Sequence, residues 1–155
     1  MTAFSPKNCR AFTLLELMVV IAIISILAGF TAPQFTRQIA KAKLIEVHNL
    51  ANNYQSVVEE FLLTQGHFPN SSEFTSITSN INNADNSIVS SVAVENPTAK
   101  SGQLKLNLTA TTGIDAGQYF LFARANNSQW SCTSSLSIDF LPEHCSSIVN
   151  EADEE

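Results

Sequence analysis

Hydrophobic positions are concentrated at the start of the chain. Residues 17–33 (LMVVIAIISILAGFTAP) carry no charge, and the longer segment 12–33 contains only one charged side chain, that of Glu16. At about 1.5 Å per residue this segment is about 33 Å long as a helix, which is enough for a hydrocarbon core of about 30 Å. The pattern therefore predicts a helix that can span a membrane.

The residues before this segment set its orientation. Residues 1–11 include Lys7 and Arg10 and no acid, so the positive-inside rule keeps them in the cytoplasm and sends the remainder outward. A secretory signal peptide has an apolar run of about 7 to 15 residues, and this run is longer. A plain membrane anchor fits the pattern, but it leaves Glu16 unexplained. A carboxylate inside an apolar span costs a few kcal/mol, which indicates a function and a partner.

After Pro33 the apolar positions become periodic. This pattern predicts an amphipathic helix over residues 34–65, and Gly66 and Pro69 end it. Residues 70–87 are rich in Ser, Thr and Asn, so we expect an exposed loop over residues 66–87. The helix positions at spacings of three and four are Val47, Leu50, Tyr54, Val57 or Val58, and Phe61.

Four later segments have the composition of β-strands. They are residues 88–94, 103–110, 119–125 and 129–133, and turn residues separate them. In the second segment Leu104, Leu106 and Leu108 alternate with polar residues, so we expect them to share a buried face. The pattern predicts an α+β domain in which a four-stranded antiparallel meander over residues 88–133 covers the helix.

Composition excludes several classes of function. The 155 residues suffice for one domain. Charged residues make up 14% and the formal net charge is −6, so no broad basic surface is available to bind nucleic acid. His48, His67 and His144 fall in a predicted helix, turn and loop with no nucleophile beside them. No glycine-rich phosphate loop is present, so we expect neither an enzyme nor a cofactor.

Residues 11–20 (AFTLLELMVV) resemble the class III signal of type IV pilins and the related pseudopilins. In that family a short basic leader is cut before a Phe, the new amine is methylated, and a Glu is the fifth mature residue. The resemblance implies cleavage between Ala11 and Phe12, methylation of Phe12, and Glu16 at the fifth position. Ala11 replaces the usual glycine and is also small. Pro33 lies where family members carry a helix-kinking proline.

The resemblance also implies a division of the chain and a set of partners. Prepilin peptidase would remove the leader, and the subunit would wait in the inner membrane before the assembly machinery adds it, with other pilins, to an extracellular pilus of a Gram-negative-type cell. The implied fold is the pilin fold, a long N-terminal helix packed on a four-stranded antiparallel sheet. The implied segments are a leader over residues 1–11, a membrane and filament-core helix over 12–33, and a head over 34–155.

Phe12, Glu16 and Pro33 are the expected assembly residues. Cleavage creates an ammonium group on Phe12, and the Glu16 carboxylate of one subunit can pair with the Phe12 amine of another in a bundle of staggered helices. A carboxylate left unpaired in an apolar core is costly, so each incoming subunit is favoured in the register that neutralises it. We therefore expect Glu16 to set register and not to catalyse.

The resemblance also resolves the cysteine count. Cys9 would leave with the leader, so Cys132 and Cys145 remain as a disulfide pair in an exported domain. A loop of this length contributes roughly 3 kcal/mol in the loop-entropy model. The segments around the two cysteines resemble the disulfide-bounded loop of pilin heads. A metal site would need further ligands, and only His144 is adjacent, so we expect none. Residues 150–155 form an acidic tail, which we interpret as solubilising.

Three alternatives stay open at this point. A type II secretion pseudopilin shares the amino terminus but usually lacks the disulfide loop over residues 132–145. A minor or competence pilin acting as a DNA receptor would need a local basic patch, since loss of Lys7 and Arg10 makes the mature chain more acidic than −6. A monomeric membrane-anchored domain is the third. The favoured hypothesis is a pilus subunit for adhesion, twitching motility or DNA uptake.

Overall fold

The computed structural model describes residues 12–81, 88–111 and 113–149, without the side chains of residues 30–34. The predicted leader over residues 1–11, the acidic tail and part of the predicted loop lie outside the described residues. The chain divides into two units, Met1–Phe35 and Thr36–Glu155.

The described residues form a long helix, a short helix, five strands and one 3₁₀ helix. Helix α1 contains residues of both units, and all the other elements belong to the second unit, the head. The elements are α1 (Leu14–Gln65), α2 (Ser71–Ile77), β1 (Val89–Glu95), β2 (Gly102–Leu108), β3 (Tyr119–Arg124), β4 (Trp130–Ser134), the 3₁₀ helix (Ile138–Phe140) and β5 (Cys145–Ser147).

The first part of α1 exposes its large apolar side chains. Over residues 14–27 their exposed fractions range from 48% at Val20 to 77% at Leu14, and Phe12, just before α1, is 87% exposed. Among the described residues, no helix is both long and apolar enough to cross a membrane. The predicted span over residues 12–33 includes residues 30–34, whose side chains lie outside the described set, and this span stays a prediction.

The part of α1 in the head buries one stripe. The buried positions alternate between spacings of four and three residues, which keeps them on a single face of a helix. Val47, Leu50 and Tyr54 are buried as predicted, Val58 is buried where the sequence left two choices, and Phe61 is only half-buried. The stripe consists of Ala40, Leu44, Val47, Ala51, Tyr54 and Val58.

The prediction of an exposed loop over residues 66–87 is wrong for Ser71–Ile77, which form α2. The Asn70 side chain accepts hydrogen bonds from the backbone N–H groups of Ser72 and Glu73, both at 3.0 Å. In return, the Glu73 carboxylate accepts the Asn70 N–H at 2.8 Å. This capping box starts the helix in a polar sequence, and the buried side chain of Phe74 anchors it to the core.

Gly66 and Gly102 lie where a larger residue would strain the backbone or clash with a neighbour. Gly66 follows the last residue of α1 with φ of 79°, a left-handed conformation that only glycine adopts without strain. Gly102 begins β2 against the buried ring of Phe68, and a Cβ at this position would lie 2.5 Å from two atoms of that ring. The first glycine ends the helix, and the second lets the sheet approach Phe68.

Within the part of the chain that the structure describes, the sheet has five strands, not the four predicted, in the order β1-β2-β3-β4-β5. The first four strands pair antiparallel as expected, but β5 pairs parallel to β4, with Cys132 opposite Cys145. The sequence of β5 gave no strand signal because three residues are too few to show alternation. The long helix and the antiparallel-rich sheet confirm the predicted α+β class.

One apolar cluster joins helix and sheet within the head. Leu104, Leu106 and Leu108 are buried as predicted, with at most 4% exposure. They belong to the same cluster as Phe120 and Phe122 of β3 and the stripe of α1. The alternating burial along β2 and β3 leaves the other face of the sheet partly open to solvent.

Candidate functional site

Glu16, the predicted assembly residue, lies in the first turn of α1 and forms a capping box with Thr13. Its Oε2 accepts the Thr13 backbone N–H at 2.9 Å and the Thr13 hydroxyl at 3.1 Å. The Thr13 Oγ1 accepts the Glu16 N–H at 3.2 Å. Sequence reasoning missed the role of Thr13, although Thr-x-x-Glu before an apolar run is the signature of this cap.

The structure describes only some of the other predicted assembly and processing residues. Phe12 precedes α1 and is exposed, Pro33 lies within α1, and Ala11 lies outside the described residues. The bonds from Thr13 both reach Oε2 of Glu16, so Oε1 can accept a donor from another chain at the same time. The first turn of α1 therefore offers a carboxylate of fixed orientation beside a row of exposed apolar side chains.

In the head, an ion pair joins α1 to the sheet. The Arg124 guanidinium donates to both carboxylate oxygens of Glu59, from Nε at 2.6 Å and from Nη2 at 2.9 Å. Arg124 also donates to the Ser128 hydroxyl at 2.9 Å and to the carbonyl oxygen of Lys100. The Trp130 indole N–H donates to the same Glu59 carboxylate at 2.7 Å. The ion pair thus joins α1 to β3, to β4 and to the loops that contain Lys100 and Ser128.

The electrostatics of this pair follow from its hydrogen bonds. Those from Arg124 lower the pKa of Glu59 against the opposing effect of burial, and the indole of Trp130 lowers it further. The same carboxylate raises the pKa of Arg124. Both groups therefore stay charged, and a bidentate geometry of this kind stabilises and orients the pair.

The disulfide lies at the edge of the sheet formed by β4 and β5. Cys132 and Cys145 are bonded to each other, with their Cα atoms 4.6 Å apart and both side chains buried. The bond holds β5 against β4, and the thirteen-residue separation of the two cysteines encloses the 3₁₀ helix. Of the predicted site residues, these two are the pair that the structure brings into contact.

His48 of α1 lies beside this disulfide. One of its ring nitrogens and the two cysteine sulfurs lie within 4.8 Å of one another. The Nδ1 atom is buried without a hydrogen-bond partner among the described residues, and the ring packs on Phe122 with centroids 5.7 Å apart. Burial, followed by repulsion from His144, lowers the pKa of His48. Sequence reasoning did not associate His48 with the cysteines because 84 positions separate it from the first of them.

Two family models match the chain. Residues 40–146 match a family described as pilin, a bacterial filament protein. Residues 6–32 match the prokaryotic N-terminal methylation motif. The first match covers most of the head, and the second covers the segment around Ala11, Phe12 and Glu16.

Several characterised relatives resemble the chain over most of its length. The fimbrial protein EcpC of Eikenella corrodens is 31% identical over 88% of this chain and 90% of the relative. The type IV major pilin protein PilE1 of Neisseria gonorrhoeae is 30% identical over 79% and 74%. The type IV major fimbrial protein FimA of Dichelobacter nodosus is 29% identical over 88% and 96%.

A solved structure has a similar fold. The crystal structure of a Cs1 pilin chimera aligns with a TM-score of 0.53 over 71% of this chain and 98% of that chain. The sequence identity is 17%, so this likeness concerns the fold alone.

Proposed function

Because this chain belongs to the type IV pilin family and is a structural subunit of a type IV pilus, we propose that residues 12–33 hold the subunit in the inner membrane and afterwards form the filament core. The exposed apolar side chains of α1 before Gly29 support this proposal. Such a surface is stable in lipid or against other apolar helices and is unfavourable in water. The segment would exchange lipid for neighbouring subunits when the filament grows.

Processing would precede assembly. Prepilin peptidase would cut between Ala11 and Phe12 and methylate the new amine, and the match of residues 6–32 to the methylation motif supports this step. The pilus machinery of a Gram-negative-type cell would then extract the subunit and add it to copies of itself and to other pilins. The role inferred is structural and not catalytic, as in the pilin family.

The observation that carries the mechanism is the position of Glu16. Its carboxylate lies one turn from the new amine in an otherwise uncharged segment, and Thr13 fixes its orientation. In a staggered bundle, the Glu16 of one subunit would accept the Phe12 ammonium of its neighbour. Removing one partner of a buried ion pair costs about 3–5 kcal/mol, which is roughly a 150- to 5,000-fold change in an association constant.

Two substitutions distinguish the contribution of the Glu16 charge from that of the helix cap that Glu16 forms with Thr13. Glu16→Gln keeps the side-chain shape and the oxygen that Thr13 binds, but it removes the charge. Thr13→Ala keeps the charge and removes the cap, at about 1 kcal/mol. We expect Glu16→Gln to leave the membrane pool of processed subunit intact and to reduce sheared surface filaments at least tenfold. Thr13→Ala should retain most of the filaments.

Quantitative immunoblots of membrane and sheared fractions measure both pools, and mass spectrometry identifies the mature N-terminus. Cleavage must be equal in all strains for the comparison to hold. Normal piliation by Glu16→Gln would contradict the pairing mechanism. Equal defects in both variants would assign the role of Glu16 to helix capping.

A further inference from the structure

The pocket beside the disulfide contains an unusual set of side chains. His48, from the middle of α1, contributes a nitrogen that lies within 4.8 Å of both sulfurs of Cys132 and Cys145. A pocket of about 150 Å³ opens at this point, and His144 lines it together with His48 and Cys132. Two imidazoles and two sulfurs are therefore gathered at one place.

These four side chains are the donor types of a structural zinc site. Zn²⁺ is bound tetrahedrally by thiolates at about 2.3 Å and by imidazole nitrogens at about 2.0–2.1 Å. Donor atoms around one ion are then roughly 3.3–3.8 Å apart. The His48 nitrogen and the two sulfurs lie within 4.8 Å of one another, about 1 Å above this range, and the His144 side chain lines the same pocket. Once the disulfide is reduced, side-chain rotations can bring the donors to these distances.

We propose that the head, while its two cysteines are reduced, binds one Zn²⁺ through His48, Cys132 and Cys145, with His144 as the fourth ligand. A dithiol reductant gives two electrons and two protons to the disulfide, which becomes two thiols, and the reductant becomes a disulfide. Zn²⁺ then displaces the two thiol protons, and two S–Zn bonds form. A newly exported chain, not yet oxidised, starts from the thiol state and needs no reductant.

The pairing of the two strands places the cysteines side by side, in addition to the disulfide that joins them. Cys132 and Cys145 occupy directly paired positions of β4 and β5, and the ring of His48 is held against Phe122 of the neighbouring strand. The buried Nδ1 of His48 has no hydrogen-bond partner among the described residues. A buried polar atom of this kind is costly unless it gains a partner, and a metal ion would be one.

Metal binding and disulfide formation would then exclude each other, because both use the same two sulfurs. Zn²⁺ would slow oxidation of the exported subunit, and oxidation would expel the ion. The inference rests on the geometry of the head and does not depend on the role of Glu16 in filament assembly.

The test uses the full-length chain in detergent, with Zn²⁺ and Co²⁺ as probes. Wild type is compared with His48→Gln and with His67→Gln, a matched control on an exposed histidine of the same unit. After reduction, we expect wild type and His67→Gln to bind one Co²⁺ with thiolate charge-transfer absorption, and excess Zn²⁺ should displace it. His48→Gln should bind about 100-fold more weakly, because one of four ligands is lost.

A kinetic measurement keeps the proposal testable if reduction loosens the fold. Zn²⁺ should slow disulfide closure by oxidised glutathione about tenfold or more in wild type and His67→Gln, and much less in His48→Gln. Equal affinity of His48→Gln and wild type would overturn the proposal, since thiols alone would then hold the metal. Binding of equal strength to the oxidised chain, or no binding after reduction, would also overturn it.

Discussion

Replacing Glu59 by Ala tests how the head holds its long helix. The substitution removes the bidentate partner of Arg124 and the acceptor of the Trp130 indole in one step. The Arg124 side chain is only 6% exposed, so its charge would stay buried without a carboxylate. The remaining bonds, to the Ser128 hydroxyl and to the carbonyl oxygens of Lys100 and Ala125, do not neutralise it.

The magnitude follows from the burial of the two partners. Breaking a buried ion pair by removing one member costs about 3–5 kcal/mol. The Glu59 side chain is 34% exposed, so water can enter on its side, and we expect the lower end, about 3 kcal/mol. For a unit of this size, that lowers the melting temperature by roughly 10 °C. Glu59→Gln keeps the shape and an acceptor, and it should cost about half as much.

Trp130 provides the assay because the chain contains a single tryptophan. Thermal unfolding of the full-length chain is followed by tryptophan fluorescence, and the folded-state emission reports the loss of the indole hydrogen bond directly. Glu60→Ala, on the adjacent exposed position of α1, is the control. If Glu59→Ala and Glu60→Ala melt within about 2 °C of each other, the reasoning is refuted.

The same pair predicts a dependence on pH. The pKa of Glu59 in the folded chain lies below its ordinary value of 4.5, chiefly because of the hydrogen bonds from Arg124. The stabilisation is therefore complete above pH 4.5 and is lost as the pH falls through the lowered folded pKa. The difference in stability between wild type and Glu59→Gln should be constant near neutral pH and shrink in acid. A difference that grows in acid would contradict the sign.

Two further changes test the local structure of the head. Asn70→Ala removes the acceptor that starts α2, so it should cost about 1 kcal/mol and speed amide exchange in α2 without affecting α1; unchanged exchange would contradict the capping interpretation. Gly102→Ala places a Cβ 2.5 Å from the Phe68 ring, so it should cost about 1–3 kcal/mol in thermal unfolding. Phe68→Leu, with its smaller side chain, should restore part of the stability that Gly102→Ala loses. If the effects of the two substitutions on stability simply add in the double variant, the clash is contradicted.

The sequence predicts the elements that depend on long apolar patterns. The stripe through Val47, Leu50 and Tyr54 and the alternation of Leu104, Leu106 and Leu108 repeat often enough to fix both element type and buried face. Helix α2 was missed because its seven residues carry only one buried apolar side chain, that of Phe74. Its signal was the capping box of Asn70 and Glu73, which periodicity does not register.

Contacts between distant positions were beyond sequence reasoning. Glu59 and Arg124 are 65 positions apart, and each has many possible partners in the sequence. The same holds for His48 and Cys132, which the fold of the head brings together. The pairing of β5 with β4 also depends on a contact across the disulfide loop. The isolated charge of Glu16 in an apolar run was visible in the sequence, but its bonds to Thr13 were not predicted, and its role in assembly stays a prediction.

The strand order implies an order in which the strands can pair during folding. Strands follow one another across the sheet in the order in which they occur in the chain, so each can dock on its predecessor as soon as it is available. Pairings between consecutive strands form faster than those that must wait for distant segments. Cys145 belongs to the last strand, and its bond to Cys132 can close only when β5 reaches β4. The disulfide therefore marks a subunit whose sheet is complete.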